Sequence, residues 1–427
     1  MGLTILLGMF AAGLLLGIPV AFAMAISAIA AFLYEGFPLL IAFQRMSSGI
    51  TVFSLLAIPF FIFAGELMLH GGIAARLVKF ASTLVGHLRG GLASVNIFSS
   101  MLFGGISGSA VADISALGSL LIPVMKEKGY RGDYAVNVTV TSSIAGVVIP
   151  PSHNMIIYSV AAGGGISISQ LFLAGVVPGL LMCICLAIAA YIIAVKHKYP
   201  SEAFPGLRAV LLSAVSAVPG LITAVIIIGG VLSGVFTVTE SGAFGAIYAL
   251  LLTAFVYRSL SWDSFRIAVI NSVRTTAMVM ILIGAANAFG YLLALYQVPA
   301  VLSSFLLSIS ENPYMIILMI NIMLLLLGMI MDMAALILIC TPIFLPIAVA
   351  TGMDPIQFGI MMLMNLGLGL CTPPVGVCLF VGCAVGKVPI QDAIRSIWPF
   401  YLAILLALLL VIYLPVISMG LPGLIGS

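Results

Sequence analysis

The chain has 427 residues, of which 63% are hydrophobic and only 6% are charged, and its formal net charge is +3. Soluble domains carry roughly 25% charged residues, so this composition excludes a soluble protein and indicates an integral membrane protein. The apolar stretches are too long for barrel strands and lack their alternation, so the spans are predicted to be helices.

In chain order, the apolar segments form two similar series. The first contains span 3–33, span 51–69, a hairpin at 91–125, a broken helix at 134–162 and span 170–195. The second contains span 240–257, span 275–296, a hairpin at 314–350, a broken helix at 357–386 and span 396–418. One odd span, 213–236, lies between them. We therefore expect a first repeat at 1–195, a connector at 196–239 and a second repeat at 240–427.

Lysine and arginine clusters mark the loops predicted to face the cytoplasm. They lie at 76–89, 126–131, 196–208, 258–274 and 387–395, whereas the loops at 297–313 and 350–357 carry acidic residues and no basic ones. With this orientation each hairpin begins and ends on the same side of the membrane. About 35 residues suffice for two half-helices, so both hairpins are predicted to turn back near the middle of the membrane. Protein or a water-filled cavity must cover the opened backbone there.

An offset of 223 residues relates the two series. Seven pairs match at this offset without a gap: Gly105 and Gly328, Pro123 and Pro346, Gly129 and Gly352, Gly146 and Gly369, Pro150 and Pro373, Pro151 and Pro374, Gly163 and Gly386. The odd connecting span inverts the second copy, as the basic clusters also require. The predicted fold is therefore an all-α polytopic membrane protein of two inverted-topology repeats, the arrangement of secondary transporters.

Each repeat sets a proline pair in its broken helix opposite a glycine-rich hairpin tip. The segments are "GGISGSAVAD" (104–113) and "GVVIPPSHN" (146–154), then "GMIMDM" (328–333) and "GLCTPPVG" (369–376). Carbonyls freed by a helix break, together with hydroxyls, suit Na⁺. The candidate cages are Ser107 and Ser109 with the carbonyls around Gly146 and Val148, and Gly328 with Gly369 and Thr372. Half-helices that begin at the tips also offer N–H groups to an anion.

Four acidic residues lie within or at the edge of apolar segments: Glu66, Asp113, Glu240 and Asp332. A buried acid in a span is costly, which favours a functional role. Asp332, at a hairpin tip, is assigned to the site, and Asp113 is left open between structure and function. Glu66 and Glu240, near span ends, are predicted to be solvated or bonded to loops. His153, directly after the first proline pair, could titrate or touch substrate, but a structural role is favoured. Because no Lys or Arg lies at the midplane, N–H groups, hydroxyls and bound cations would have to hold an anion.

Together these motifs resemble the large membrane subunit of the tripartite ATP-independent periplasmic (TRAP) transporters, DctM type. The matching segments are "GIPVAFA" (17–23), "IPFFIFAGELM" (58–68), "FGGISGSAVAD" (103–113), "GVVIPPSHN", "MDMAALILICTPIFLP" (331–346) and "NLGLGLCTPPVG" (365–376). The resemblance implies an elevator-type importer of organic anions, coupled to Na⁺, in the bacterial inner membrane. It also implies two partners, a periplasmic substrate-binding protein (DctP type) and a small four-helix membrane subunit (DctQ type), the latter expected not to be fused to this chain.

Site residues follow from the resemblance by motif position. It implies a first sodium site at Ser107, Gly146, Val148 and Pro151, and a second at Gly328, Gly369, Thr372 and Val375. It implies substrate contacts from Ser109, Ser152, Asn154 and Asp332. The family often has a small polar residue where this chain has Gly104, so a ligand there would have to be a carbonyl. Sialic acid, C4-dicarboxylates, keto acids, sugar acids and sulfonates all stay open as substrates.

Three alternatives remain open at this point. A stand-alone sodium/dicarboxylate symporter of the same ion-transporter superfamily would take up substrate without a binding protein. An ion channel would pass current continuously. An intramembrane protease could use Asp113 and Asp332 as a dyad, but neither lies in a matching motif. The sequence holds no HExxH, nucleophile elbow or Walker loop, so neither an enzyme nor an ATP-driven pump is predicted.

Overall fold

The computed structural model describes residues 1–425, except the side chains of Ile106, Ser107 and Ile425. In the first half the helices are α1 (Gly2–Leu15), α2 (Val20–Tyr34), α3 (Leu39–Ile50), α4 (Ala57–His70), α5 (Ile73–Val85), α6 (Gly91–Ser107), α7 (Ala110–Glu127), α8 (Gly132–Ser142), α9 (Ala145–Val148), α10 (His153–Ala161) and α11 (Ile168–Lys196). In the second half they are α12 (Leu207–Leu232), α13 (Val238–Leu251), α14 (Trp262–Leu295), α15 (Val298–Ile309), α16 (Pro313–Gly328), α17 (Met333–Ala350), α18 (Pro355–Leu370), α19 (Val377–Gly386), α20 (Ile390–Ser396), α21 (Trp398–Tyr413) and α22 (Val416–Ile425).

The described helices make this a multi-pass membrane protein, as predicted. Six of them, counting the 3₁₀ turn Phe53–Leu56 with α4 and the π-helical segment Leu252–Val256 with α13, are long and apolar enough to cross a membrane alone. Up to nine spans result if each of three bent helix pairs counts as one. The all-α class predicted from the sequence is confirmed.

Both hairpins and both broken helices occur within two residues of their predicted bounds. The first hairpin is α6 and α7, which meet at Gly108, and the second is α16 and α17. In the first broken helix, α8 and α9 continue into α10 across a bend of 53°. In the second, α18 ends at Leu370 and α19 begins at Val377. The proline pairs lie in these two breaks, and both Pro–Pro peptide bonds are cis.

A glycine–glycine crossing joins each hairpin to its broken helix. A β-carbon at Gly146 would lie 3.0 Å from the Cα of Gly104, and one at Gly369 would lie 2.7 Å from the backbone of Gly328. Helices approach this closely in membranes where small residues meet. The crossings therefore bring each hairpin tip against the opened backbone of a proline break.

Several predicted boundaries differ from the structure. Span 275–296 begins earlier than predicted, because α14 runs from Trp262 to Leu295. Span 3–33 is two helices, because the chain reverses at Gly17 (φ +77°) and α2 begins after Pro19. Span 396–418 ends at Tyr413, and Pro415 separates α21 from α22 with a bend of 56°. The loop predicted at 297–313 is largely the helix α15, which has a proline in its first turn.

The helices sort into two packed groups. The scaffold group comprises α1–α4 and α12–α14, and the hairpin group comprises α6–α11 and α16–α22, while α5 and α15 pack against both. Contacts between the two groups run mainly from α4 and α14 to α6 and α17. Each hairpin therefore presents one helix to the scaffold group.

The segment 197–206, which passes from α11 to α12, lies against the first hairpin. The Tyr199 and Tyr130 rings pack with their centroids 4.5 Å apart. Gly90 donates its backbone N–H to the carbonyl of Pro200 at 3.1 Å, and Lys128 Nζ lies 3.1 Å from Glu202 Oε1. This segment, named the strap, is therefore bonded to the hairpin group as far as Glu202.

Replacing Gly369 by alanine tests the glycine crossing. The new methyl group would meet the backbone of Gly328, which no rotamer change can move aside. We expect Gly369→Ala to destabilise the protein by about 1–3 kcal/mol, the usual cost of overpacking. Thermal unfolding of the purified protein in detergent would measure it. Gly290→Ala, in α14 with nothing within 4 Å, is the control and should be neutral or slightly stabilising. A Gly369→Ala melting temperature equal to that of the control would contradict the crossing.

Candidate functional site

The second half-helix of each hairpin begins with a side chain that caps it. Ser109 Oγ accepts the backbone N–H of Ala112 at 3.4 Å at the start of α7. Asp332 Oδ2 accepts the backbone N–H of Ala334 at 3.0 Å at the start of α17. Ser109 and Asp332 are 223 residues apart. The two repeats therefore place equivalent capping residues, one neutral and one acidic, at their tips.

In the first repeat the proline pair deprives two carbonyls of their helical partners. In an unbroken α-helix, Gly146 and Val147 would receive hydrogen bonds from residues 150 and 151, but both are prolines without an N–H. The tip of α6 covers the break, because a β-carbon at Gly105 would lie 2.7 Å from the carbonyl oxygen of Pro150. The break therefore leaves the carbonyl oxygens of Gly146 and Val147 without helical donors, beside the hairpin tip.

The second repeat contains the same arrangement. Pro373 and Pro374 remove the helical donors for the carbonyls of Gly369 and Leu370. The carbonyl of Gly369 instead accepts the N–H of Thr372 at 2.9 Å. The carbonyl of Leu370 has no helical donor, because residue 374 is a proline without an N–H.

A cavity of ≈ 290 Å³ lies where the two tips and the two breaks meet. Its lining includes three pairs from the hairpin tips and one pair from the breaks, each related by 223 residues: Ser109 and Asp332, Ala110 and Met333, Val111 and Ala334, Val147 and Leu370. His153, Asn154 and a stripe of α14 complete it. The cavity is thus built from equivalent positions of both repeats.

The cavity suits a small anion. The N-termini of α7 and α17 open onto it, and helix N-termini carry free N–H groups and a partial positive charge. Asn154 donates to the carbonyl of Gly108 at 3.3 Å, which fixes its amide beside the first tip. Asp332 is the one acidic residue in the described lining, so the electrostatics differ between the two tips.

Three of the four predicted substrate residues, Ser109, Asn154 and Asp332, line this cavity. Ser152 does not. It is fully buried ahead of α10, and its hydroxyl has no hydrogen-bond partner among the described residues. His153, predicted to be structural, also lines the cavity.

The residues of the first predicted sodium site lie around the first crossing. The side chain of Ser107 falls outside the described part of the chain. Gly146 packs between Gly104 and the carboxylate of Asp113, so a β-carbon at either glycine would collide with backbone or carboxylate atoms. The carbonyl of Val148 faces Gly175 of α11. Pro151 follows in the break itself.

The residues of the second predicted sodium site lie closer together. Gly328 and Gly369 are in contact at the crossing, and Val375 donates its N–H to the carbonyl of Met329 at 3.0 Å. Thr372 Oγ1 donates to the carbonyl of Leu368 at 2.7 Å, which leaves the hydroxyl oxygen able to accept or to bind a cation. Hydroxyl and carbonyl oxygens therefore meet at this break.

Glu240 and Glu66 have defined hydrogen-bond partners. Glu240 forms a capping box with Thr237 at the start of α13, bonded to the loop as predicted. Glu66 accepts from Asn271 of α14 at 3.0 Å, which is a helix contact and not the solvated or loop-bonded position expected for it. Asp113 is fully buried against the first break.

Sequence reasoning missed Val147, Leu370 and Thr275 in the cavity. The first two could have been found, because each lies four residues before the second proline of a pair and they match at the offset of 223. Thr275 could not, because it lies on α14, outside every glycine- or proline-marked segment.

Comparisons with known proteins agree with this geometry. The family model of the tripartite ATP-independent periplasmic transporter, DctM component, matches residues 7–417. The chain is 40% identical to the sialic acid TRAP transporter large permease protein SiaM of Vibrio cholerae over 96% of its own length and 95% of the relative's. It is 41% identical to the C4-dicarboxylate TRAP transporter large permease protein DctM of Pseudomonas aeruginosa, over 88% and 87%.

A solved structure shares the fold at low identity. The crystal structure of the Alcanivorax borkumensis YdaH transporter superposes with a TM-score of 0.63 at 14% identity, and covers 90% of this chain and 89% of that one. With the full-length family match and two large-permease relatives, the identification drawn from the motifs is confirmed: this chain belongs to the DctM family, the large permease component of TRAP transporters, and is a transporter rather than an enzyme.

Proposed function

We propose that this chain is the large transmembrane subunit of a sodium-coupled TRAP transporter that imports an organic anion, a carboxylate such as sialic acid or a C4-dicarboxylate. The observation that carries the proposal is the cavity onto which both hairpin helices open their N-termini. The relatives named for sialic acid and for C4-dicarboxylates support a carboxylate.

Sodium coupling is supported by the chemistry of the two breaks. Carbonyl and hydroxyl oxygens meet at the second break, the first break leaves two carbonyls without helical donors, and the described cavity lining contains no lysine or arginine. A cation such as Na⁺ would supply the positive charge that an anion needs there. Ser107, Gly146, Val148 and Pro151 would hold one Na⁺, and Gly328, Gly369, Thr372 and Val375 the other.

The transport motion we propose is an elevator. The hairpin group contains both tips and both breaks, so it would carry the whole site, while the scaffold group stays fixed in the membrane. The proposed partners are a small four-helix membrane subunit bound to the scaffold group and a periplasmic protein that delivers the substrate. The location that fits this assembly is the bacterial inner membrane.

Uptake is expected to require Na⁺. Proteoliposomes containing this chain and its small subunit, with binding protein outside, should accumulate radiolabelled N-acetylneuraminate or succinate when an inward Na⁺ gradient is imposed. The transport should also be electrogenic if the Na⁺ charges outnumber those of the anion. Equal uptake driven by a proton gradient in Na⁺-free buffer would rule out sodium coupling.

Thr372→Ala is expected to weaken the sodium dependence selectively. Removing the hydroxyl takes away one of few polar contacts for a buried cation, worth roughly 1–3 kcal/mol, so half-saturating Na⁺ should rise about fivefold or more. The matched control is Thr351→Ala, which removes a similar hydroxyl-to-carbonyl bond, to Ala348 at 2.7 Å, at the far end of α17. An unchanged Na⁺ requirement in folded Thr372→Ala would refute this ligand.

Crosslinking the two groups is expected to stop transport. In a background without the six native cysteines, pairs of introduced cysteines would join α14 to α17 at positions away from the cavity. Oxidation should abolish uptake and reduction should restore it, because a fixed hairpin group cannot carry the site. Pairs that join α16 to α17, within the hairpin group, should leave uptake intact. Full uptake with several α14–α17 bridges in place would exclude an elevator.

A further inference from the structure

A second cavity of ≈ 250 Å³ adjoins the first. The two share Ser109, Val111, His153 and Thr275, so they lie side by side at the first hairpin tip. The second cavity extends along α4, toward the end that the basic cluster at 76–89 marks as cytoplasmic. The second cavity therefore lies between the tips and the predicted inner face.

The scaffold group contributes two matching stripes to these two cavities. They are Ile62, Gly65, Glu66 and Leu69 of α4, and Thr275, Met278, Val279 and Leu282 of α14. Both follow the spacing i, i+3, i+4, i+7 that defines one face of a helix. Among these stripe residues Glu66 alone is ionisable.

Glu66 is held in place by two neighbours. Asn271 Nδ2 donates to Glu66 Oε2 at 3.0 Å, and His70 Nε2 lies 3.3 Å from the same oxygen without hydrogen-bond geometry. Both neighbours belong to the scaffold group. The side chain of Glu66 remains 17% exposed, within the cavity wall.

We propose that Glu66 promotes release of the substrate, because its charge weakens the binding of the anion on the cytoplasmic side. The proposal rests on the proposed function. Because Glu66 stays with the scaffold group, its negative charge faces the anion only when the hairpin group has brought the site to the inner position. A charge that acts on one state alone changes the affinity of that state alone.

A purely structural role makes a different prediction. If Glu66 only ties α4 to α14, then breaking the contact from the other side, with Asn271→Ala, must have the same effect as changing Glu66. Glu66→Gln retains an oxygen that can accept from Asn271 and removes only the charge. Glu66→Asp retains the charge on a shorter side chain.

The test compares the two faces of the transporter in proteoliposomes that contain the whole assembly. Efflux and uptake of N-acetylneuraminate and of succinate give half-saturating concentrations for the inner and outer faces. Glu66→Gln should lower the inner value roughly three- to tenfold, the range for two unit charges on the order of 10 Å apart at intermediate dielectric, with little change outside. Maximal uptake should fall, because release becomes slower. Glu66→Asp and Asn271→Ala should retain the inner half-saturation of the wild type.

Any other result contradicts either the role of Glu66 or the proposed function. An unchanged inner value in Glu66→Gln, an equal change on both faces, or the same change in Asn271→Ala overturns the role of Glu66 while leaving the proposed function standing. A wild-type assembly that moves neither probe in either direction overturns the proposed carboxylate transport, and this inference falls with it.

Discussion

Two backbone-to-backbone crossings hold the centre of this protein together. Where Gly104 meets Gly146, and where Gly328 meets Gly369, no side chain separates a hairpin tip from a broken helix. Hydrocarbon cannot satisfy an opened backbone, so a proline break at mid-membrane is tolerated only where protein or a water-filled cavity covers it. The crossings provide that cover, and they also explain Gly104, because a β-carbon at this position would collide with Gly146.

The site that results is built from helix ends rather than from fixed cations. A lysine or arginine at this depth would be costly to bury and would hold an anion too firmly to the protein at every stage. Helix N-termini supply a weaker attraction, and the Na⁺ that we propose at the breaks would add positive charge that leaves with the substrate. The repeats are not equivalent in charge, since Ser109 in one corresponds to Asp332 in the other. A carboxylate substrate would therefore meet an uncharged cap at one end of the cavity and an acidic cap at the other.

Prediction from the sequence succeeded where glycine or proline residues interrupt apolar segments. Glycines and prolines at a fixed offset located both hairpins, both breaks and the cavity between them, since these residues have few reasons to recur in apolar helices. Prediction failed where the chain looks ordinary. Nothing but Gly17 and Pro19 distinguishes α1 and α2 from one long span, and Thr275 and Glu66 reach the cavities from scaffold helices through tertiary packing alone. Ser152 shows the converse, since the resemblance implied a substrate contact but the residue is fully buried and does not line the cavity.

The strap at 197–206 sets a mechanical limit on the molecule. It is bonded to the hairpin group through Tyr199, Pro200 and Glu202, and it joins the scaffold group where α12 begins at Leu207. The four residues at 203–206 link Glu202 to α12, and a fully extended chain of this length reaches roughly 14 Å. Within this link the Phe204 ring packs on His87, with ring centroids 5.3 Å apart. If the hairpin group moved farther than this reach relative to the scaffold group, Tyr199 of the strap would have to separate from the Tyr130 ring. The tyrosine contact would then oppose only the last part of the movement of the hairpin group.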